Sequence, residues 1–245
     1  YGFVPAHEAY SVGRYIEDAA RAVASAEAEG RLPIFVGGTG LYFKALLEGL
    51  SPIPAIPPDI RTRWRTEARR IGAAALHVVL RARDPEMAER LRPSDPHRIV
   101  RALEVHEATG RSLSEWQRIS GKGVLEEAET ARLVLLPDRA DLYRRCEERF
   151  DAMLEQGALD EVAALRELRL DAGLPVMTAH GMPHLTAALA GKLDLATAAA
   201  RSKQDTRHYA KRQLTWIRRN MKSWTLLKTQ ELENIHGQID IIVNV

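Results

Sequence analysis

"IFVGGTGLYFKALLEGL" fills residues 34–50, and its reading decides the architecture. An apolar run meets two glycines and a threonine, then a pattern with helical spacing. With the residues just before it, "LPIFVGG" at 32–38 reads as a short continuous apolar strand of the kind buried in a parallel sheet. Further upstream, Ser11 to about Glu29 has amphipathic helical spacing and closes on Gly30. Helix, strand, glycine turn and helix predict an α/β layer. Ligands of open parallel sheets bind beyond the carboxyl ends of the strands. Gly37 and Gly38 end the strand there, and without side chains they let another group approach the backbone. Thr39 then brings a hydroxyl to the start of the next helix, where free N–H groups and the dipole favour an anion. The same residues also suit a plain strand-to-helix turn with Thr39 as a cap. The turn lacks the Gly-Lys-Ser/Thr ending of a phosphate loop.

The rest of the chain surrounds this layer with helices. It has 245 residues, 45% of them hydrophobic, enough for one sizeable core or two modest domains. The formal net charge is only +2, so any surface for nucleic acid has to be local. The single cysteine, Cys146, excludes an internal disulfide and favours a reducing compartment. No apolar run approaches the ~18 residues of a membrane span, and no signal peptide precedes the first motif. A cytoplasmic protein is expected, and with no dimerisation stripe, a monomer. The chain opens mid-motif, without Met at position 1.

Residues 51–58, "SPIPAIPP", hold four prolines in eight positions and mark a hinge. Residues 59–120 read as arginine-rich helices without a good strand. One of them, in "SDPHRIVRALEVHEATG", starts at Ser94 or Asp95 with Pro96 in its first turn and stops at Gly110. "ARLVLLP" at 131–137 is a second buried strand, long helical patterns run on to about residue 222, and "IDIIVNV" at 239–245 suits a terminal strand. The organisation expected is an α/β core from residues 1–54 and 123–245, interrupted by a helical insertion over 55–122. Two lobes with a cleft would follow.

Charge patterning adds candidate binding residues. In "TRHYAKRQLTWIRRNMK", Ala210, Leu214, Ile217 and Met221 form one apolar stripe, flanked by Arg207, Lys211, Arg218 and Lys222. Arg201, Arg212 and Arg219 widen the basic arc, and Asp205 is the only acid between Arg201 and Lys222. This face is either solvated or laid against phosphates, with Gln213, Thr215 and Trp216 available for polar contacts or stacking. Arg98 and Arg101 share a face of the helix that begins at His97, and Arg61, Arg63 and Arg65 cluster beyond the hinge. Glu67, Glu104 and Glu107 could balance them. Arg149, in "ERFDAMLEQG", would ordinarily pair with a neighbouring acid. No Cys/His set has metal spacing. His180 and His184 lie four apart in "HGMPH", but Gly181 and Pro183 make a poor metal-binding helix. No nucleophile elbow or Walker A loop occurs.

Taken in order, "VGGTGLYFKALLEGLSPIP", "DPHRIVRALEV", "RFDAML" and "TRHYAKRQLTWIR" closely resemble the bacterial tRNA dimethylallyltransferases, also called isopentenyl-diphosphate:tRNA transferases, over about residues 10–224. The resemblance implies a P-loop-kinase-like α/β core with a helical insertion that clasps a tRNA anticodon stem-loop. It implies transfer of a dimethylallyl group from dimethylallyl diphosphate to N6 of the adenosine just 3′ of the anticodon. Thr39 would contact the departing diphosphate oxygen, and Arg149 would bind the diphosphate and offset its charge. Arg61, His97, Arg98 and Arg101 would contact tRNA from the insertion. Lys211, Arg212, Gln213, Trp216 and Arg218 would contact it from the core. The family's phosphate loop, its acidic base and its Mg²⁺ ligands are expected upstream of residue 1, and "HGMPHL" departs from the family pattern at Met182 and Pro183. Two other functions share these features. A small-molecule kinase would use the arginine-rich insertion as a lid, and a non-catalytic RNA-binding module would bind tRNA without responding to diphosphate.

Overall fold

A computed structural model describes residues 2–228 of the chain. Most of these residues are helical. Among the described residues, ten α-helices accompany one pair of strands, and the chain divides into two compact units, residues 1–43 with 125–245 and residues 44–124.

The first unit opens with α1 (Val12–Ala28). Ser11 caps it through its side chain, which accepts from the Arg14 N–H, and Gly30 ends it with φ 63°. Both ends agree with the capping pattern of the sequence. Helix α2 (Gly40–Glu48) follows the glycine turn. Residues 31–38 between them are not the buried strand expected from their apolar run. They form no ladder among the described residues, and Leu32, Ile34 and Val36 are 67%, 79% and 76% exposed. A continuous apolar run suits a strand buried on both faces, but burial requires neighbouring strands, and periodicity cannot supply them.

The strand expected at 131–137 does form, as β1 (Leu133–Leu136). It pairs in parallel with β2 (Thr225–Lys228), Val134 opposite Leu226, in a sheet of two strands among the described residues. The α/β reading is therefore correct in kind, with a small parallel sheet in a mostly helical molecule. Strand β2 follows the basic helix directly and carries no strand signal of its own. The terminal strand expected at 239–245 lies outside the described residues.

Helices α7 (Arg139–Glu155), α8 (Ala158–Glu167), α9 (Met182–Leu189) and α10 (Leu195–Asn220) complete the first unit. Phe150, Val162, Met182, Leu185 and Ala198 form their common core. Along α10 the buried positions are Ala198, Ser202, Thr206, Ala210 and Leu214, spaced every four residues. Small side chains on that line let α7 and α9 pack close to the α10 backbone. The hydroxyls of Ser202 and Thr206 donate to the carbonyls four residues back, so their burial leaves no orphan donor.

The second unit is helical: α3 (Pro58–Arg83, broken at Gly72 with φ 77°), α4 (Pro85–Arg90), α5 (Pro96–Thr109) and α6 (Leu113–Gln117). Asp95 caps α5 and Gly110 closes it in the left-handed region, at the ends marked by the sequence. Trp64, Leu76, Leu80, Ile99 and Leu103 are among its core residues. At the neck of this unit, the end of α2 and residues 121–124 run side by side. The Val124 N–H donates to the Leu46 carbonyl at 2.7 Å, and a Cβ on Gly121 or Gly123 would collide with the Leu50 or Leu47 backbone. Glycine is required there because two backbones touch. Among the described residues no helix is long and apolar enough to cross a membrane.

Candidate active site

The GGTG turn meets helix α10, and two of its glycines are explained by that approach. The Gln213 side chain, partly exposed, donates from Nε2 to the Gly38 carbonyl at 2.8 Å. A Cβ on Gly38 would displace that amide. One turn of helix later, the Trp216 indole lies on the Gly40 backbone, and a Cβ there would enter the ring. Thr39 stands between the two contacts. Its carbonyl accepts from the Tyr42 N–H at 2.9 Å, which starts α2. Its side chain is exposed, and no hydrogen bond engages its hydroxyl among the described residues. Thr39 is thus not spent as a cap. It presents a hydroxyl at the N-terminus of α2, beside N–H groups without helical partners, where an anion would be favoured.

Aromatic rings surround the first turn of α2. Tyr42 stacks on Tyr15 with centroids 4.1 Å apart, and Phe43 meets Trp224 edge to face at 5.5 Å. Burial, with Tyr209 nearby, raises the Tyr42 phenol pKa. Tyr10 is pushed up to about 12, by burial and then by its hydrogen bond to Asp18 at 2.8 Å. Both phenols are neutral near pH 7, as an unshifted phenol also is, and the Tyr10 hydroxyl donates to Asp18.

Helix α10 has two electrostatic halves. In its first half Lys203 pairs with Asp151 at 2.6 Å and Arg207 pairs with Glu147, both acids on α7. Beyond Tyr209 the pairing stops. Lys211, Arg212, Arg218 and Arg219 are exposed and meet no carboxylate among the described residues. Arg212 lies over the Tyr209 ring at 5.5 Å, an arrangement that orients the guanidinium without neutralising it. An open depression of about 450 Å³ lies on this half, lined by Lys211, Arg212, Thr215, Trp216, Arg219 and Asn220. Thr215 and Asn220 donate to helix carbonyls four residues back, leaving cations and the indole as its active chemistry.

Arg149 projects from α7 next to buried Phe150. It is exposed, and no acid engages it among the described residues, although Glu147, Glu148 and Asp151 flank it in sequence. Those acids are taken by Arg207, Arg144 and Lys203. The neighbours thus leave Arg149 a free cation.

In the second unit the candidates differ among themselves. Arg61 and His97 are exposed and unpaired among the described residues. Arg98 is held by Asp95 at 3.3 Å, and half-buried Arg101 by Glu104 at 3.6 Å. Burial lowers the Arg101 pKa, Glu104 raises it and nearby Arg61 lowers it again, so the two arginines share a local field. His180 and His184 are engaged elsewhere, on the Tyr209 ring edge and on Asp205 at 2.9 Å. No three His, Cys, Asp or Glu side chains among the described residues could hold a metal ion. The Mg²⁺ implied by the resemblance finds no ligand set in these residues.

Comparison with known proteins gives the family of the chain. The family model described as IPP transferase matches residues 1–220. The chain is 51% identical over 233 residues to a tRNA dimethylallyltransferase of Beijerinckia indica, covering 95% of this chain and 77% of that one. It is 52% identical over 224 residues to the enzyme of that name from Azorhizobium caulinodans, covering 91% and 72%. Among solved structures, a eukaryotic dimethylallyltransferase acting on tRNA superposes with TM-score 0.74 at 27% identity, over 94% of this chain and 59% of that one. A tRNA isopentenylpyrophosphate transferase of Bacillus halodurans superposes with TM-score 0.62 at 29% identity, over 99% and 77%. The chain belongs to the IPP transferase family.

Proposed function

We propose that this protein modifies tRNA by moving a dimethylallyl group from dimethylallyl diphosphate to N6 of the adenosine 3′-adjacent to the anticodon. The C1–O bond of the allyl diphosphate breaks, and its electron pair leaves with the diphosphate. The N6–C1 bond forms, and N6 releases one proton. The charge that grows on the departing oxygens is what the protein has to stabilise. The Thr39 hydroxyl donates to the departing oxygen and Arg149 neutralises the diphosphate. The target base has to leave its stack to bring N6 within reach.

Lys211, Arg212 and Arg218 hold the RNA backbone from α10, and Arg61, His97, Arg98 and Arg101 hold it from the insertion. The core is taken as P-loop-kinase-like, with β1 and β2 as its described part, and the protein as a cytoplasmic monomer. Family membership favours this reading over a small-molecule kinase. The single observation that carries it is the Thr39 hydroxyl, exposed and uncommitted on a turn gripped by the unpaired basic half of α10.

The test is to incubate the protein with dimethylallyl diphosphate and an anticodon stem-loop that carries the target adenosine. A matching loop with that adenosine replaced serves as control. The expected result is a mass gain of one dimethylallyl group on the first RNA only. Salt-sensitive binding of both loops with no mass gain on either would leave an RNA-binding module in its place.

A further inference from the structure

Gln213 and Trp216 stand in the sequence as groups facing RNA. We infer that Gln213 instead acts as a positioning residue, holding the GGTG turn so that the Thr39 hydroxyl points at the reacting diphosphate. This rests on the role given to Thr39 above.

The geometry is specific. One amide donor of Gln213 is committed to the Gly38 carbonyl at 2.8 Å, across 175 positions of sequence. The Trp216 ring covers Gly40 on the other side of Thr39. The threonine is therefore fastened at both neighbours, whereas its own hydroxyl is left open for substrate. Gln213 and Trp216 are three apart on α10 and share a face. Ala210 and Leu214, beside them on the helix, are 4% and 9% exposed and fix that helix in the unit. A turn held by a rigid helix keeps a reacting group in register. A loop left to itself samples orientations, and misplacement by about 1 Å is worth up to roughly a hundredfold in rate. Gly38 itself does not need glycine for its backbone, since its φ is not in the left-handed region. Its missing Cβ serves the approach of the Gln213 amide.

This gives two independent ways to break one interaction. Gln213→Met keeps the length and removes the donor. Gly38→Ala keeps Gln213 and pushes its amide away from the carbonyl. Each is to be measured for turnover and, separately, for anticodon stem-loop affinity, alone, together, and in a Thr39→Ala background. We expect either change to lower kcat roughly tenfold while the stem-loop Kd stays within about twofold. The pair should lose no more than either alone, and Gln213→Met should cost nothing further once Thr39 is alanine.

Additive losses from Gln213→Met and Gly38→Ala would show that they do not act through one hydrogen bond, and would overturn the inference. A stem-loop Kd that weakens in step with turnover would also overturn it, by making Gln213 an RNA-reading residue. An undiminished Gln213→Met loss in the Thr39→Ala background would break the link to Thr39 alone. Full activity in Thr39→Ala by itself would instead remove the reading of Thr39, and this inference with it.

Discussion

The second unit and the far half of α10 both carry many basic residues, yet they present different surfaces. In the unit spanning residues 44–124, Glu107 takes Arg63 and Arg83, and its Oε2 also accepts from Trp64 Nε1 at 3.0 Å. Glu104 takes Arg65 and Arg101, Glu67 takes Arg70, and Glu86 takes Arg118. Along α10 beyond Tyr209 no carboxylate answers Lys211, Arg212, Arg218 or Arg219 among the described residues. The first arrangement spends much of its charge on its own helices, with Arg61 an exception. The second leaves it for a partner. Counting basic residues in a sequence does not distinguish them, because what matters is where the acids lie after folding.

The comparison can be broken most severely at α10. Replacing Lys211, Arg212 and Arg218 together by alanine should weaken stem-loop binding by roughly a hundredfold or more at low salt. It should also flatten the dependence of log K on log salt by about 0.7–0.9 for each phosphate no longer neutralised. Fluorescence anisotropy across a salt series reads both quantities. A slope equal to the parent's would mean these cations do not face RNA.

The reverse change is Glu107→Ala. It should cost about 1–3 kcal/mol of stability, because it strands the buried Trp64 N–H as well as two guanidinium groups. Thermal or urea unfolding measures that loss, and the salt slope of RNA binding should stay at the parent value.

A smaller effect sharpens the contrast within the second unit. Arg61 is unpaired among the described residues and Arg98 is held by Asp95. Arg61→Ala should weaken stem-loop binding by roughly tenfold and Arg98→Ala by less than about threefold, as suits a cation already partnered. Equal losses would show that a surface ion pair at 3.3 Å gives way to phosphate without cost.

What the sequence made legible was local. Asp95, Pro96 and Gly110 bound α5 because capping depends on neighbours in the chain. The stripe of Ala210, Leu214, Ile217 and Met221 was readable because helical period alone puts them on one side; Ala210, Leu214 and the cap residue Met221 are buried and Ile217 is half-buried. That Thr39 stands ahead of a helix was readable, but whether its hydroxyl is spent as a cap was settled only by the fold. What escaped was set by distant partners. The apolar run at 32–36 resembled a buried strand, but Ile34 is 79% exposed because no ladder forms beside it among the described residues. Strand β2 exists by virtue of β1, which lies about ninety residues earlier. The pairings of Arg63 and Arg83 with Glu107 cross between helices. Gln213 reads as one more polar side chain on a basic helix, and only the fold brings it to Gly38.

The neck of the second unit has a consequence of another kind. Its two crossings are stitched by the Val124–Leu46 hydrogen bond at 2.7 Å, with Gly121 and Gly123 pressed on the backbone of residues 47–50. Such a segment leaves and rejoins the chain at nearly one point, as a surface loop does. Replacing residues 51–120 by a short link is expected to leave the first unit folded, which circular dichroism and thermal unfolding would check. The glycines at its base are what let its two crossings lie that close.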